Sequence, residues 1–329
     1  MGLRGALRRS GISVVPGGVE IDGILTAGNV IAGQGKTIYM NPAESAGMTG
    51  RTPGTACSTI HEAYAKLTAD QNDTLVYLAG ATSATITDTL EWAKNYTHFV
   101  GYAAPLQNQS RARLFASETA AGYNAFKVSA RGCHFSNLRF YQGVDEATAF
   151  CVEITGPYNR WDYVTFQGMN YASTAGEATN YSLKLEDCSL NEFYNCTMGG
   201  TSTKRTADNS IVLFDGICSQ LKFVDCDFLS YAEVNTYCIM KVADGDAIRD
   251  FVRFDGCYFY NRWAGKADEL LEVWECPVCN HAAIQLKDCS FSCVIEWNAA
   301  ARACIKVIGA TGLAGSTGVG SSGDGISPT

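Results

Sequence analysis

The sequence predicts an all-β solenoid of stacked coils, because strand-like triplets recur along it at a nearly constant interval. In the first kind of triplet the outer residues are apolar and the central residue varies, as in a strand with one buried face. Its copies, spaced by 26 to 32 residues, are Leu138-Arg139-Phe140, Val164-Thr165-Phe166, Cys196-Thr197-Met198, Cys226-Asp227-Phe228, Cys257-Tyr258-Phe259 and Cys289-Ser290-Phe291.

A second triplet with apolar outer residues shares this period, and most of its central residues are Lys or Glu. Two strand signals in each coil of about 30 residues favour a β-solenoid over a leucine-rich repeat, which is shorter, or a propeller blade, which holds four strands. The copies are Phe126-Lys127-Val128, Val152-Glu153-Ile154, Leu183-Lys184-Leu185, Val212-Leu213-Phe214, Met240-Lys241-Val242, Leu271-Glu272-Val273 and Ile305-Lys306-Val307.

Cysteine placement is the third observation, since several of the fourteen cysteines hold one equivalent inward position. In a solenoid, equivalent side chains stack at the strand separation of ~4.8 Å. A free thiol behaves as a small buried hydrophobe, so we expect a column of unbonded thiols. Bonded or metal-bearing pairs remain the alternative. The position is held by Cys196, Cys226, Cys257 and Cys289, and in earlier coils by Leu138 and Val164.

Composition limits the classes of function. With 329 residues, 47% of them hydrophobic, the chain can form one elongated domain with tails. The net charge of −8 argues against nucleic acid as a partner. No apolar run approaches a membrane span, and no secretion signal is recognisable, so we expect no membrane partner. Many core cysteines indicate assembly in a reducing cytoplasm.

Residues 1–36 read as an arm of brief extended segments that docks onto a shell or a neighbouring subunit. The segment from Val19 to Leu25 is suited to adding a strand to another chain's sheet edge. A solvated leader is the alternative. The candidate interface residues are Arg4, Arg8, Arg9, Val19, Ile21 and Ile24.

The domain itself is expected over residues 37–308. A short amphipathic helix is predicted near residues 59–68, where Thr59 and Glu62 form a capping-box pair. Such a helix can close the open end of the first coil, as solenoids require. Residues 309–329 are rich in Gly, Ser and Thr and read as a flexible tail.

Three consecutive segments carry a family resemblance: Lys36–Pro42, Ser58–Tyr64 and Asn72–Gly80. Together they resemble the entry of pectate-lyase-like right-handed parallel β-helix proteins, and in particular those of bacteriophage virions: decoration proteins, head fibres and tailspikes. The resemblance spans Lys36 to Ile308. It implies coils of two or three strands, an N-terminal capping helix and association as homotrimers, and it leaves function open because one fold serves many functions.

The resemblance favours a non-enzymatic virion protein that decorates the capsid or projects as a fibre or spike. Its partners would be its own copies and capsid or tail proteins, and it would be assembled in the host cytoplasm without a cofactor. The alternative is a tailspike-type depolymerase, a polysaccharide lyase or glycoside hydrolase, or an adhesin that binds host surface glycan. Outward aromatic residues such as Tyr258 suit either a subunit interface or sugar stacking.

Glycan cleavage requires paired carboxylates, and the candidates are Asp225, Asp227 and Asp255, with Asp187 and Asp288 in neighbouring coils. Ordinary turn chemistry at strand ends is the alternative for these aspartates. The four histidines, His61, His98, His134 and His281, read as isolated.

Cys276 and Cys279 form a CxxC pair that can supply half of a zinc site. The later Cys289 and Cys293 do not have the spacing of a zinc ribbon, and Cys289 already belongs to the inward column. We therefore expect no metal, and a turn disulfide or free thiols at this pair.

Overall fold

The structure is a computed structural model. It describes residues 35–108, 110, 112–116, 125–143, 150–232, 237–243, 247–262 and 284–292, together with the backbone of strands at 12–15, 18–21, 272–275, 283, 305–308 and 311–312. Within this part the helices are short, namely Ile60–Ala65 and Ala172–Ala175, with a 3-10 turn at Pro53–Thr55.

Three parallel sheets form the walls of the solenoid, which confirms the predicted parallel β-solenoid. Sheet I contains Thr37–Met40, Thr74–Leu78, His98–Tyr102, His134–Ser136, Arg160–Asp162, Glu192–Tyr194, Cys218–Val224, Ile248–Asp255, Ala283–Lys287 and Ile305–Ile308. Sheet II contains Ala84–Ile86, Arg113–Ala116, Arg139–Gln142, Thr165–Gln167, Thr197–Gly199, Asp227–Ser230, Tyr258–Asn261, Ser290–Ser292 and Thr311–Gly312. Sheet III contains Leu90–Trp92, Phe126–Val128, Val152–Ile154, Tyr181–Glu186, Ser210–Asp215, Cys238–Val242 and Glu272–Glu275.

Sheet I is the wall that the triplet analysis did not find, since it predicted two strands per coil. Its inward side chains are large and form a continuous buried file. Neighbouring rings lie at the separation of stacked strands, with centroids 4.6 Å apart for Phe193 and Phe223 and 4.8 Å for Phe223 and Phe254. The file comprises Phe99, Phe135, Trp161, Phe193, Phe223, Phe254 and Leu286.

Sheet II matches the first triplet in every copy, because Phe140, Phe166, Met198, Phe228 and Phe259 pair in sequence order and all lie inside. The central residues of the triplets face outward. Tyr258, for example, is partly exposed while its neighbours on both sides are buried. The two-residue alternation therefore placed this wall correctly.

Two copies of the second triplet were placed wrongly. Ile305–Ile308 belongs to sheet I, where it pairs with Ala283–Lys287, and not to the wall of the other copies. In sheet III, Met240 pairs with Trp274 and not with Leu271, a register shift of three residues. Both errors have one cause, since an apolar–polar–apolar triplet fits any one-faced strand and carries no information on which wall it joins.

The turn from sheet I to sheet II explains the cysteine column. From residue 137 onward, each described turn has one residue with a left-handed backbone, and the following residue points into the core: the φ values include 56° at Asn137, 51° at Asn195, 51° at Asp225 and 65° at Gly256. Backbone hydrogen bonds join the inward residues from coil to coil, as from the amide of Asp227 to the oxygen of Cys196, 2.9 Å. The column is Ala112, Leu138, Val164, Cys196, Cys226, Cys257 and Cys289.

All ten cysteines in the described residues are buried and unbonded. Burial, followed by the neighbouring thiol of Cys196, raises the pKa of Cys226, and burial with Cys226 does the same for Cys257. These thiols therefore stay protonated and act as core side chains, as predicted.

The entry helix spans Ile60–Ala65, shorter than the predicted 59–68. Thr59 caps it as expected, since its hydroxyl accepts a hydrogen bond from the amide of Glu62 at 3.2 Å. The Glu62 carboxylate does not complete a capping box: it accepts from the Ser58 hydroxyl at 3.2 Å and from the amide of Gly47 at 3.3 Å. Ile60 and the rest of the apolar face lie in the core cluster.

The chain outside the solenoid is described only in part. Ile12–Val15 and Gly18–Ile21 pair as an antiparallel hairpin, which agrees with brief extended segments in the arm. Val19 and Ile21 lie in its second strand, and the other candidate docking residues, Arg4, Arg8, Arg9 and Ile24, fall outside the described residues. Thr311–Gly312, inside the predicted tail, pairs with Ser290–Ser292 and extends sheet II.

Candidate functional site

Asp225 and Asp288 are turn residues. Their φ values, 51° and 52°, lie in the left-handed region that Asn, Asp and Gly tolerate best. Asn137 and Asn195 hold the same place in other coils, so an Asp here satisfies the backbone of the turn. The geometry therefore supports the alternative that these two aspartates are ordinary turn residues.

Asp255 ends a strand of sheet I and is engaged in ion pairs. Its carboxylate lies 2.7 Å from Arg253 Nη2 and 3.2 Å from Lys287 Nζ. Burial acts to raise the pKa of Asp255, but hydrogen bonds from Lys287 and Arg253 outweigh it, and the net shift is downward. A carboxylate held ionised in this way is poorly suited to act as a general acid.

Asp227 differs from these, because it faces outward on sheet II and burial raises its pKa. The loop that carries Gln107 runs over this part of the sheet. Its main-chain oxygen accepts hydrogen bonds from the hydroxyls of Thr165 at 3.3 Å and Thr197 at 2.9 Å, and its side-chain amide donates to the Asp225 carbonyl at 2.9 Å. Asp227 pairs in register with Thr197, so it lies beside the covered hydroxyls.

The three predicted aspartates thus lie on different elements: a turn, sheet II and sheet I. Within the described residues no group of three or more His, Cys, Asp or Glu side chains is close enough to hold a metal ion. Cys276 and Cys279, the candidate zinc pair, fall outside the part of the chain that the structure describes.

A histidine–aspartate cluster on the outer face of sheet I was missed from the sequence. His98 and His134 pair in register, so the prediction of isolated histidines was wrong for these two. The amide of His134 donates to His98 Nδ1 at 3.2 Å, and His134 Nε2 lies 2.7 Å from the Asp162 carboxylate, which also accepts from Arg160 Nε at 2.7 Å.

Protonation states in this cluster follow from its burial. Burial, followed by the charge of His134, lowers the pKa of His98 to about 4, so its ring is neutral near pH 7. Burial acts to raise the pKa of Asp162, yet hydrogen bonds from His134 and Arg160 give a net lowering. The cluster joins three coils into one hydrogen-bonded band.

A cleft of about 580 Å³ opens where the outer face of sheet II meets the loop after Tyr102. Arg113 and Arg139, paired in register on adjacent strands, line it. Both guanidinium carbons lie over the ring of Tyr141, at 5.6 Å and 5.4 Å from its centroid. The remaining lining residues are Gly80, Ala81, Ser83, Leu106, Asn108 and Ser110.

Neutral groups hold the two guanidinium groups in place. Arg113 Nε donates to the hydroxyl of Ser83 at 2.8 Å, and Arg139 donates through Nε and Nη2 to the side-chain oxygen of Gln167. In the described part of the chain, no carboxylate oxygen lies within 4 Å of either arginine. Burial, then the charge of Arg113, lowers the pKa of Arg139.

Three parallel sheets, a buried file of aromatic residues and polar outer faces define the fold of this chain as a parallel β-solenoid. Among solved structures it is similar to the deglycosylated pectin methylesterase from Aspergillus niger, with a TM-score of 0.52 and 13% identity over 92% of this chain and 90% of that one. It is also similar to the pectate lyase Pel9A, with a TM-score of 0.50 and 10% identity over 88% and 80% of the two chains.

At these identities the likeness shows the fold alone. No family model matches the sequence, and no curated protein matches it. No helix in the described residues is both long enough and apolar enough to cross a membrane.

The sequence did contain signals for the features that were missed. His98, His134 and Arg160 occupy the same outward position in successive strands, and aligning Phe99, Phe135 and Trp161 would have placed them in one row. Arg113 and Arg139 could be aligned in the same way through Leu114 and Phe140.

Proposed function

We propose that this chain is a non-enzymatic structural protein of a bacteriophage virion, a rigid β-solenoid that decorates the capsid or projects as a fibre or spike. The observation that carries the proposal is that the outer acidic residues serve the fold itself. Asp225 and Asp288 serve turns, and Asp255 is held in ion pairs. These three aspartates therefore have roles in the fold itself, which favours a structural protein over a pair of glycan-cleaving carboxylates.

Outer faces and interior both support a role in stiffness. On sheet III, Lys184 Nζ lies 3.0 Å from Glu186 and 2.9 Å from Asp215, so charged side chains of neighbouring strands pair with each other. Inside, the aromatic residues of the sheet I file pair from coil to coil, from Phe99 to Phe254. Because packed interiors are dense and deform little, such a body can transmit position and load.

Assembly follows from the same proposal. The coils wind right-handed, the helix Ile60–Ala65 covers the open end of the first coil, and the arm of residues 1–36 docks onto capsid or tail proteins or onto a neighbouring copy. Its own copies associate as a homotrimer after synthesis in the host cytoplasm. The support is the resemblance of the Lys36–Gly80 segments to virion proteins, together with the exposed aromatic residues.

Mass spectrometry of phage particles purified from the source culture tests this role. We expect the intact chain in the particles at many copies, with antibody labelling at one repeated position on their surface. Recovery only as free protein in the lysate, with none in washed particles, would contradict the proposal.

A second candidate is a protein that binds or cleaves host surface glycan. Asp227 favours it, because a partly buried carboxyl with a raised pKa is what a general acid requires. The similar solved structures include a pectin methylesterase and a pectate lyase, which act on a polysaccharide.

Substituting Asp227→Asn tests this candidate, with Asp288→Asn as the matched control in a turn of another coil. Release of products from host surface glycan by the unaltered chain and by D288N, but not by D227N, would establish an enzyme and refute the structural role as the whole account. Glycan-array binding without product release would indicate an adhesin.

A further inference from the structure

Arg113 and Arg139 place two like charges side by side on a molecule whose net charge is −8. They are adjacent in register, and both bend over the same ring, that of Tyr141. Arg113 also lies 5.5 Å from the centroid of Phe115. Aromatic faces and neutral oxygens orient the two groups, but no carboxylate in the described residues neutralises them.

Several other basic residues in the described part of the surface have carboxylate partners. Lys184 contacts two carboxylates, and Arg160 and Arg253 each contact one. Juxtaposed, partly buried guanidinium groups repel one another and favour a bound anion. Their fork-like donors suit oxygens that accept two hydrogen bonds at once.

We propose that the cleft lined by Arg113 and Arg139 is a binding site for a phosphate group, either inorganic phosphate or the phosphate monoester of a small, sugar-sized molecule. This site goes beyond the structural role, requires no catalysis and is compatible with either function proposed above.

Charge matching selects phosphate over carboxylate. A phosphate monoester carries about −1.5 to −2 charges at pH 7 and so neutralises two guanidinium groups, whereas a carboxylate neutralises one. The hydroxyl of Ser83, which accepts from Arg113 Nε, and the amide of Asn108 belong to residues that line the same cleft, and both offer further donors. The cleft of about 580 Å³ also leaves space beside the phosphate for the rest of a small ligand.

Isothermal titration of the full chain at low ionic strength tests the site with three probes: inorganic phosphate, a hexose phosphate and the matching hexuronate. We expect saturable one-site binding of a phosphate probe and binding of the hexuronate weaker by about tenfold or more. Equal affinity for the two phosphates would identify the anion alone as the ligand. Tighter binding of the hexose phosphate would show that the cleft holds the sugar as well.

Arg113→Gln and Arg139→Gln should each weaken phosphate binding by about tenfold or more, since each removes charge-assisted hydrogen bonds. Arg131→Gln is the matched control, because Arg131 also lies over an aromatic ring, that of Tyr96 at 5.9 Å, but outside the cleft. Thermal unfolding of each variant reports whether it is folded.

Chemical modification of the unaltered chain tests the site without the use of variants. Phenylglyoxal modifies accessible arginines, and mass spectrometry locates the modified residues. Phosphate should protect Arg113 and Arg139 and leave Arg131 reactive. Absence of saturable phosphate binding, equal affinity for the hexuronate, or protection that does not distinguish the three arginines would overturn the proposal.

Discussion

Asp225 illustrates how the backbone decides the role of a side chain. In the sequence, a carboxylate beside a buried cysteine suggests a catalytic role. The φ of 51°, however, places Asp225 at a turn position also held by Asn195 and Gly256. Asp, Asn and Gly all tolerate the left-handed region, so this position requires that backbone conformation and not an acidic side chain.

This role gives the first prediction. Asp225→Asn should change the free energy of unfolding by less than about 0.5 kcal/mol, because Asn also tolerates the left-handed region. Asp225→Val should cost about 1–2 kcal/mol, because a β-branched side chain is strained at positive φ. Urea unfolding of both variants measures the difference. Equal stability of the two variants would contradict the turn role.

His98 gives the second prediction, on pH dependence. Its folded-state pKa of about 4 lies below the ordinary value of 6.5, so the unfolded chain binds the proton first as the pH falls. The stabilising contribution of neutral His98 is complete above pH 6.5 and is lost as the pH falls from 6.5 to about 4. The loss is on the order of 2–3 kcal/mol.

His98→Asn keeps an acceptor for the His134 amide but does not titrate in this range. Its free energy of unfolding, measured between pH 7 and 4, should depend less on pH than that of the unaltered chain. His61→Asn is the control, because His61 lies on the entry helix beside the exposed Asp88. An unchanged pH slope in H98N would show that His98 is not the responsible group.

At the scale of elements, the file of rings in sheet I is the largest continuous feature of the core. Phe223 contacts Phe193 on one side and Phe254 on the other, and all three are fully buried. Phe223→Ala would leave a cavity that the neighbouring coils, fixed by two ladders of hydrogen bonds, cannot fill.

The third prediction is therefore a loss of about 3–5 kcal/mol in the free energy of unfolding for F223A. Tyr158→Ala removes a side chain that is 61% exposed and should cost far less. Chemical denaturation of both variants makes the comparison. A small effect of F223A would mean that this file is not a packed core.

The sequence predicts the strands of sheet II better than those of sheet I. Sheet II was predicted from Arg139–Gln142 to Ser290–Ser292, because its inward residues, such as Phe140 and Phe228, repeat in strands of three or four residues. The triplets did not include Arg113–Ala116 or Thr311–Gly312. The triplets missed sheet I because its strands vary in length, from His134–Ser136 to Ile248–Asp255, and because its outward residues change from coil to coil. The candidate site was missed for a related reason, because Arg113 and Arg139 are recognised as neighbours only when the register between coils is known.

At the scale of the whole molecule, the proposed function is that of a rigid body that acts through its surfaces. Exposed aromatic residues, Tyr158 among them, suit contact between copies. The fourth prediction is that the full chain, of 35.3 kDa, sediments at three times that mass at micromolar concentration. A monomer at all accessible concentrations would remove the trimer from the proposal.

The claim on which the rest depends is that the chain coils upon itself and superposes equivalent side chains. Sulfur anomalous scattering from a crystal of the full chain tests it directly. The account predicts that the sulfur atoms of Cys196, Cys226, Cys257 and Cys289 form one nearly straight row, with neighbours at about the strand separation of 4.8 Å. Sulfur positions scattered over separate parts of the molecule would contradict the fold and every role derived from it.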